Sequence, residues 1–398
     1  MADAPLSPAG CAFDVAILGA GLAGLSLAVR LASPRFGRLR VLIVEARTHY
    51  RRDRTWSYWS GSPHPFAAAV GRKWSRWAVS APGELASRCA AGLAYESIQS
   101  DVLYRQALDQ IARAPHIEMH LGVRADVTAD PDGVLVRLPG GAMRAGVAFD
   151  TRPAAGIGSH GLTQVFGGQE VETANAIFDP GVATLMDFDV EQGFAGNGAA
   201  HFTYVLPTSP TTALVEDTWF APPGFRPPDH RAAICAYLGR HKAGNYSVQF
   251  EEAGALPMDP VYQPAVSTRL IPLGTAGGAT RPSTGYAFAA IQARCDAIIA
   301  DIERGRLPSA TPPRPALTRF MDHVLLDLLE HHPALAPRIF AALFAGCPPA
   351  RLVRFLSDQA RPADFAAVAA AIPFWPTVAA AGRMAVGQVT WPRPAPAG

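Results

Sequence analysis

The chain has 398 residues, 49% of them hydrophobic and 17% charged, with a formal net charge of +2. That balance excludes a disordered chain, and the basic cluster at Arg47, Arg51, Arg52 and Arg54 is too short for a nucleic-acid footprint, so no nucleic-acid partner is expected. Five cysteines without a CxxC pair fit neither a disulfide framework nor a zinc site. His160, His201, His230, His241 and the His331-His332 pair lack metal-ligand spacing, so no metal is expected either.

The opening stretch MADAPLSPAGCAFD has no basic region ahead of an apolar core, so no secretory signal is read and the chain is expected in the cytoplasm. Residues 14–46, DVAILGAGLAGLSLAVRLASPRFGRLRVLIVEA, predict a strand, a glycine turn, a helix and a second strand. Gly19 permits the tight turn. Gly21 lets a pyrophosphate approach the backbone where Leu22 and Ala23 open the helix, and Gly24 lets that helix pack closely on the strand. Glu45 ends the second strand, 21 residues after Gly24, where it is placed to bond a ribose hydroxyl. An acid there disfavours a 2′-phosphate, so FAD or NAD is expected rather than NADP.

Residues 160–265 hold strand-like runs such as HFTYVLPT and TALVEDTWF between Pro and Gly turns, which predict an antiparallel sheet. In TALVEDTWF the acids Glu216 and Asp217 are adjacent. Strand alternation sends them to opposite faces, so one of them can look into the protein. EEAGALPM, residues 251–258, sets Glu251 and Glu252 ahead of Gly254 and Pro257. Residues 270–299, LIPLGTAGGATRPSTGYAFAAIQARCDAII, again join a strand, a glycine-rich loop and a helix. SATPPRPA, residues 309–316, reads as a linker. Beyond it Leu317, Phe320, Met321, Val324 and Leu328 share one helix face and are expected in the core, with Ile339, Leu343 and Phe344 continuing the pattern. FAAVAAAIPFWPTVAAAG, residues 365–382, approaches the length needed to cross a bilayer. Pro373 and Pro376 interrupt it, so a buried or membrane-touching broken helix is expected rather than a span.

Taken in order, GAGLAG, DRTWSYW at 53–59, TYVLPTSPTTALVEDTWF at 203–220, EEAGALPM and RPSTGYAFAAIQ at 281–292 resemble a bacterial lycopene cyclase over nearly the whole chain. VEDTWF and PSTGYAF are the specific segments. Residues 270–299 also resemble the distal FAD motif of glutathione-reductase and hydroxylase-like flavoproteins, except that Gly274 is followed by Thr275 where Asp is usual. The resemblance implies an α/β fold whose Rossmann-type FAD-binding domain, glutathione-reductase/hydroxylase-like, runs over 1–159 and 266–308. An antiparallel-sheet substrate domain at 160–265 and a C-terminal helical cap at 317–398 would complete it. It further implies FAD, active when reduced, with NADPH as reductant. Arg54, Gly274, Thr284, Gly285 and Tyr286 would join the first glycine turn and Glu45 as cofactor contacts. The partner would be a lipophilic carotenoid with acyclic ends, taken up in peripheral contact with the inner membrane.

The implied reaction is redox-neutral: an end isoprene unit is protonated, closes to a β-ring and loses a proton. A tertiary carbocation in a dry pocket needs negative charge close by. Carried over from the family's acidic motif, Glu216 either supplies that charge or, with its acidity weakened by burial, donates the proton, and Asp217 stands second. Trp56 would face the cation through its ring, and Glu252 would line the substrate cavity. Two other readings are an FAD-dependent hydroxylase or prenyl reductase, which would change product mass, and a non-enzymatic prenyl-binding protein, which would carry no flavin.

Overall fold

Two apolar runs without polar alternation, Phe13–Leu18 and Val41–Glu45, pair as parallel strands whose side chains are buried on both faces. In the computed structural model, which describes residues 6–8, 10–153, 161–193, 198–258, 267–310 and 314–372, they lie within a seven-stranded sheet. Its order is Ile117–Leu121, Val41–Glu45, Phe13–Leu18, Gly141–Asp150, Gly133–Leu138, Asp126–Asp130, and Leu270–Pro272 also pairs with Gly141–Asp150. Alternation divides the core. Val15, Ile17, Val41 and Ile43 pack with residues of the helices Leu22–Leu31, Ser100–Ile111 and Phe288–Glu303, while Ala16, Leu18, Leu42 and Val44 pack with Val134 and Val136. A three-stranded sheet of Thr55–Trp59, Tyr95–Gln99 and Arg72–Trp74 completes this unit, which comprises Met1–Ser75, Ala91–Gly158 and Asp259–Pro313.

The second unit comprises Arg76–Ala90, Ser159–Met258 and Arg314–Gly398. The sequence reading runs the first domain unbroken to residue 159. In the structure the hairpin Arg76–Ala81/Glu84–Cys89 instead forms one edge of the second unit's sheet. That sheet runs Tyr246–Pro257, Thr163–Thr173, Thr212–Ala221, Ala200–Pro207, Val182–Asp187, Arg76–Ala81, Glu84–Cys89. Its neighbours are antiparallel except for Val182–Asp187 beside Arg76–Ala81. On one face Val171, Val205, Ala213 and Val215 pack with Ile234, Tyr237 and Leu238 of the helix His230–Arg240. On the other, Phe340 of the helix Ala336–Gly346 stacks near Phe188 and Phe220, at centroid distances of 5.8 and 5.9 Å. Arg88 donates to the carbonyls of Phe344 and Ala345, satisfying the end of that same helix.

The helix Ala316–His331 departs from its sequence pattern. Val324 and Leu328 are buried, but so are Thr318, Asp322 and Asp327, and these inward polar positions turn Leu317 and Phe320 out to 49% and 41% exposure. The helix Pro362–Ala371 begins the uncharged stretch 365–382, of which residues 373–382, with Pro373 and Pro376, lie outside the described residues, as does His160. No described helix is long and apolar enough to cross a membrane.

Two glycines of the first turn separate fold from function. A Cβ on Gly24 would fall 2.1 Å from the Gly19 carbonyl oxygen, whereas one on Gly21 would meet nothing nearer than an Arg47 nitrogen at 3.9 Å. Gly24→Ala is therefore expected to destabilise the chain by about 1–3 kcal/mol or more, and Gly21→Ala to stay within about 1 kcal/mol of the parent, as read from urea unfolding.

Candidate active site

The helix Leu22–Leu31 starts at Gly21 with no side-chain cap, so the N–H groups of its first turn point outward from the glycine turn. Beside it, Glu45 accepts from the Ala20 amide at 2.6 Å and from the Arg47 amide at 2.8 Å, while Arg47 donates to the Ala20 carbonyl at 2.9 Å. Burial works to raise the Glu45 carboxyl, but the Arg47 guanidinium and the two amides outweigh it and hold the group below its ordinary range. Glu45 is thus an ionised acid at the strand end. Arg47 lies over the rings of Tyr50 and Tyr104, at 4.5 and 5.3 Å, and Trp56 meets Tyr104 edge-on at 5.7 Å. Trp56 accordingly stands in the Glu45–Arg47 neighbourhood. Arg54 is exposed and pairs with Asp53 at 3.3 Å.

The second glycine loop returns to the same turn. Gly274 has φ +74°, and a Cβ on it would lie 2.8 Å from that of Ala23, so the loop packs against the first turn of the helix. Gly285 donates its amide to the Arg281 carbonyl at 2.8 Å and Tyr286 its amide to the Thr284 hydroxyl at 3.3 Å. This tight turn directs Tyr286 to Tyr95, hydroxyl to hydroxyl at 3.2 Å, with Trp59 against both rings at 4.9 and 5.3 Å. Burial raises the Tyr286 phenol, so it stays a neutral donor.

In the second unit the acid pair is split by strand alternation. Asp217, 1% exposed, turns toward the helix His230–Arg240 and accepts from three donors: the His201 imidazole, His230 Nδ1 at 2.6 Å and Trp219 Nε1 at 2.9 Å. His201 also donates from Nδ1 to the Glu191 carbonyl at 2.6 Å and stacks on Trp219 at 4.0 Å. Burial pushes the Asp217 carboxyl up, but the bonds from His201, His230 and Trp219 bring it below its ordinary range. Asp217 is an anchored carboxylate.

Glu216 takes the opposite face. In register across three strands stand Glu216, Gly168 and Glu252. The glycine leaves the two glutamates free to meet: a Cβ on Gly168 would lie 2.8 Å from Glu216 Cγ and 3.4 Å from Glu252 Cγ. Glu252 is 8% exposed, and Glu216 beside it is partly buried. Desolvation, then the charge of Glu252 and a hydrogen bond to it, hold Glu216 well above the ordinary carboxyl range. The neighbouring glycine serves the other face, because a Cβ on Gly167 would strike the His230 ring at 2.6 Å.

The structure thus brings together Glu216 with Glu252, and Glu45 and Ala23 with Gly274 through the first turn. Gly167, Gly168, His201, His230 and Arg47 escaped the sequence reading as site residues. Their available signal was the GG pair inside a strand pattern, which marks close approach of neighbours. Among the described residues no group of three or more His, Cys, Asp or Glu is placed to hold a metal ion.

A family model described as "Lycopene cyclase protein" matches residues 14–381. The chain is 29% identical to the lycopene beta-cyclase of Pantoea ananas over 69% of its own length and 71% of the relative's. It is 30% identical to that of Pseudescherichia vulneris over 74% and 75%. Among solved structures, a geranylgeranyl bacteriochlorophyll reductase-like protein from Thermoplasma acidophilum aligns with TM-score 0.56 at 14% identity, covering 92% of this chain and 95% of that one. The halogenase PltM in complex with phloroglucinol and FAD aligns with TM-score 0.52 at 13% identity over 84% and 77%. At such identities the likeness establishes the fold, that of the FAD-dependent oxidoreductases and halogenases.

The Asp217 cluster yields a stability prediction. Since its folded-state carboxyl is depressed, its contribution is full above the unfolded value of about 4 and is lost as pH falls through the folded value. Asp217→Asn leaves His201 and His230 without their carboxylate and is expected to cost roughly 3 kcal/mol near neutral pH, with the loss shrinking below pH ~4. Thermal unfolding of both proteins across pH measures it.

Proposed function

The chain belongs to the lycopene cyclase family and catalyses an intramolecular cyclisation, and from that premise we propose that Glu216 is the carboxyl at the reacting end of the carotenoid. The observation that carries the assignment is the opposite fates of the two neighbouring acids. Asp217 is tied to three donors and depressed, whereas Glu216 faces another carboxyl and is held protonated.

In the reaction a proton adds to the terminal double bond of an acyclic end, leaving a tertiary cation. The chain closes on it to a six-membered β-ring, and a ring proton is lost. Atoms and electrons balance without a net oxidant or reductant. Glu216, protonated, delivers the first proton; once ionised it stands as the counter-charge that a cation requires where the effective dielectric is low. Asp217 anchors the strand from its other face.

FAD fits the first unit's residues. Gly21 leaves its approach open, the helix start carries no side-chain cap, and Glu45 is ionised for a ribose hydroxyl. Gly19, Leu22, Ala23 and Gly24 would hold the pyrophosphate, and Gly274, Thr284, Gly285 and Tyr286 the other end, with Arg54 at the rim. When bound and reduced, with NADPH as electron source, FAD would supply negative charge rather than a hydride to the product. Trp56, beside Arg47 and Tyr104, fits a cofactor-side role at least as well as a substrate contact. Exposed Leu317 and Phe320 support peripheral contact with the inner membrane, from which so apolar a substrate must be drawn.

Incubation of the flavin-loaded protein with lycopene, without oxygen and with limiting NADPH, is expected to give cyclised product of unchanged mass in excess of NADPH oxidised. Glu216→Gln is expected to keep flavin and fold while losing roughly a hundred- to a thousandfold in rate. Near-normal turnover of that variant, or hydride use equal to product, would refute the assignment.

A further inference from the structure

Two carboxyls separated by a whole strand do not ordinarily touch. Adjacent strands lie about 4.8 Å apart, so Glu216 and Glu252, on either side of the strand Thr163–Thr173, are attached to the sheet roughly twice that distance apart. Any side chain at the intervening position would stand between them. Gly168 is that position, and the space a Cβ would take is already bounded by the Cγ atoms of both glutamates. The two carboxyls therefore converge over the glycine and hydrogen-bond one another. A carboxyl-to-carboxyl hydrogen bond needs one proton, since two carboxylates have no donor.

Resting on the reading that Glu216 works at the reacting end, we infer that Glu216 and Glu252 hold a single proton between them over Gly168, and that this shared proton is the one given to and recovered from the carotenoid. Delivery breaks the O–H bond of the pair and forms a C–H bond at the terminal alkene, leaving two carboxylates facing the cation. The ring carbon then loses a proton to the pair, which regenerates the one-proton state. The doubly ionised pair is unfavourable by like-charge repulsion, and the cation offsets it. This gives the pair a reason to release its proton only when a cation forms and to reclaim one afterwards. It also gives Glu252 a catalytic part beyond lining the cavity.

Among the described residues of the adjoining strands, the ionisable side chains next to the pair on this face are Tyr204, in register with Glu216, and Glu170, two residues along from Gly168, while Arg88 farther along the sheet donates to the carbonyls of Phe344 and Ala345. Charges on the far face are engaged elsewhere: Asp217 with His201 and His230, and Glu251 with Gln169 and with Arg231 at 2.7 Å.

Rate–pH profiles of flavin-loaded wild type, Glu252→Gln, Gly168→Ala and Glu216→Gln test the inference. Glu252→Gln keeps size and a donor but removes the second acid and its charge, so Glu216 should ionise at lower pH. The alkaline limb of the profile is expected to move down by about a unit or more, and the rate at neutral pH to fall at least tenfold. Gly168→Ala, which wedges the carboxyls apart, should move the limb the same way if it folds; Glu252→Gln carries the test regardless. An unshifted profile and wild-type rate for Glu252→Gln beside an inactive Glu216→Gln would overturn the shared proton and leave the Glu216 assignment standing. An active Glu216→Gln would overturn both.

Discussion

The absence of two side chains, at Gly167 and Gly168, governs what the second unit can do with its acids. Both glycines sit in the strand between the two that carry Glu216, Asp217, Glu251 and Glu252. On one face the missing Cβ admits the His230 ring to Asp217; on the other it lets two glutamates meet. A glycine inside a strand weakens it, so this strand gives up local stability to admit groups from both sides. What results is one carboxylate held by three donors, one residue away from a carboxyl that faces another carboxyl. Identical chemistry at adjacent positions is driven to opposite protonation states by environment alone.

A similar logic of close approach organises the first unit. Gly24 brings helix against strand, Gly274 brings the distant loop against Ala23, and Gly19, at φ +89°, turns the chain so that the helix start is left open. Glu45 is kept ionised there by Arg47 despite burial. The unit so presents an uncapped helix start and a charged acceptor, a complement to the pyrophosphate and ribose of a dinucleotide. The isomerase reading asks nothing more of this unit than to hold charge in place.

The glycine turn with its trailing acid was legible because each residue there has one job that few other residues perform. So was the opposite facing of Glu216 and Asp217, which follows from strand period alone. The excursion of Arg76–Ala90 was not legible, since a hairpin carries no signal of which sheet it will join. The apolar line from Leu317 to Leu328 predicted a buried stripe, yet Asp322 and Asp327 take inward places in the fold and leave Leu317 and Phe320 outside. His201 and His230 were set aside for lack of metal spacing. Their role depends on Asp217, 16 and 13 residues away, and only the folded sheet brings them to it.

The site turns on a glutamic acid whose carboxyl is held well above the ordinary range by desolvation and by the facing Glu252. Infrared difference spectra of the flavin-loaded protein, recorded across pH, report the carbonyl stretch of protonated carboxyls directly. In the wild type a protonated-carboxyl band is expected to persist well above the ordinary carboxyl range, and in Glu216→Gln to be absent. A wild type whose carboxyls are all ionised by neutral pH, or a band unchanged in Glu216→Gln, would contradict this.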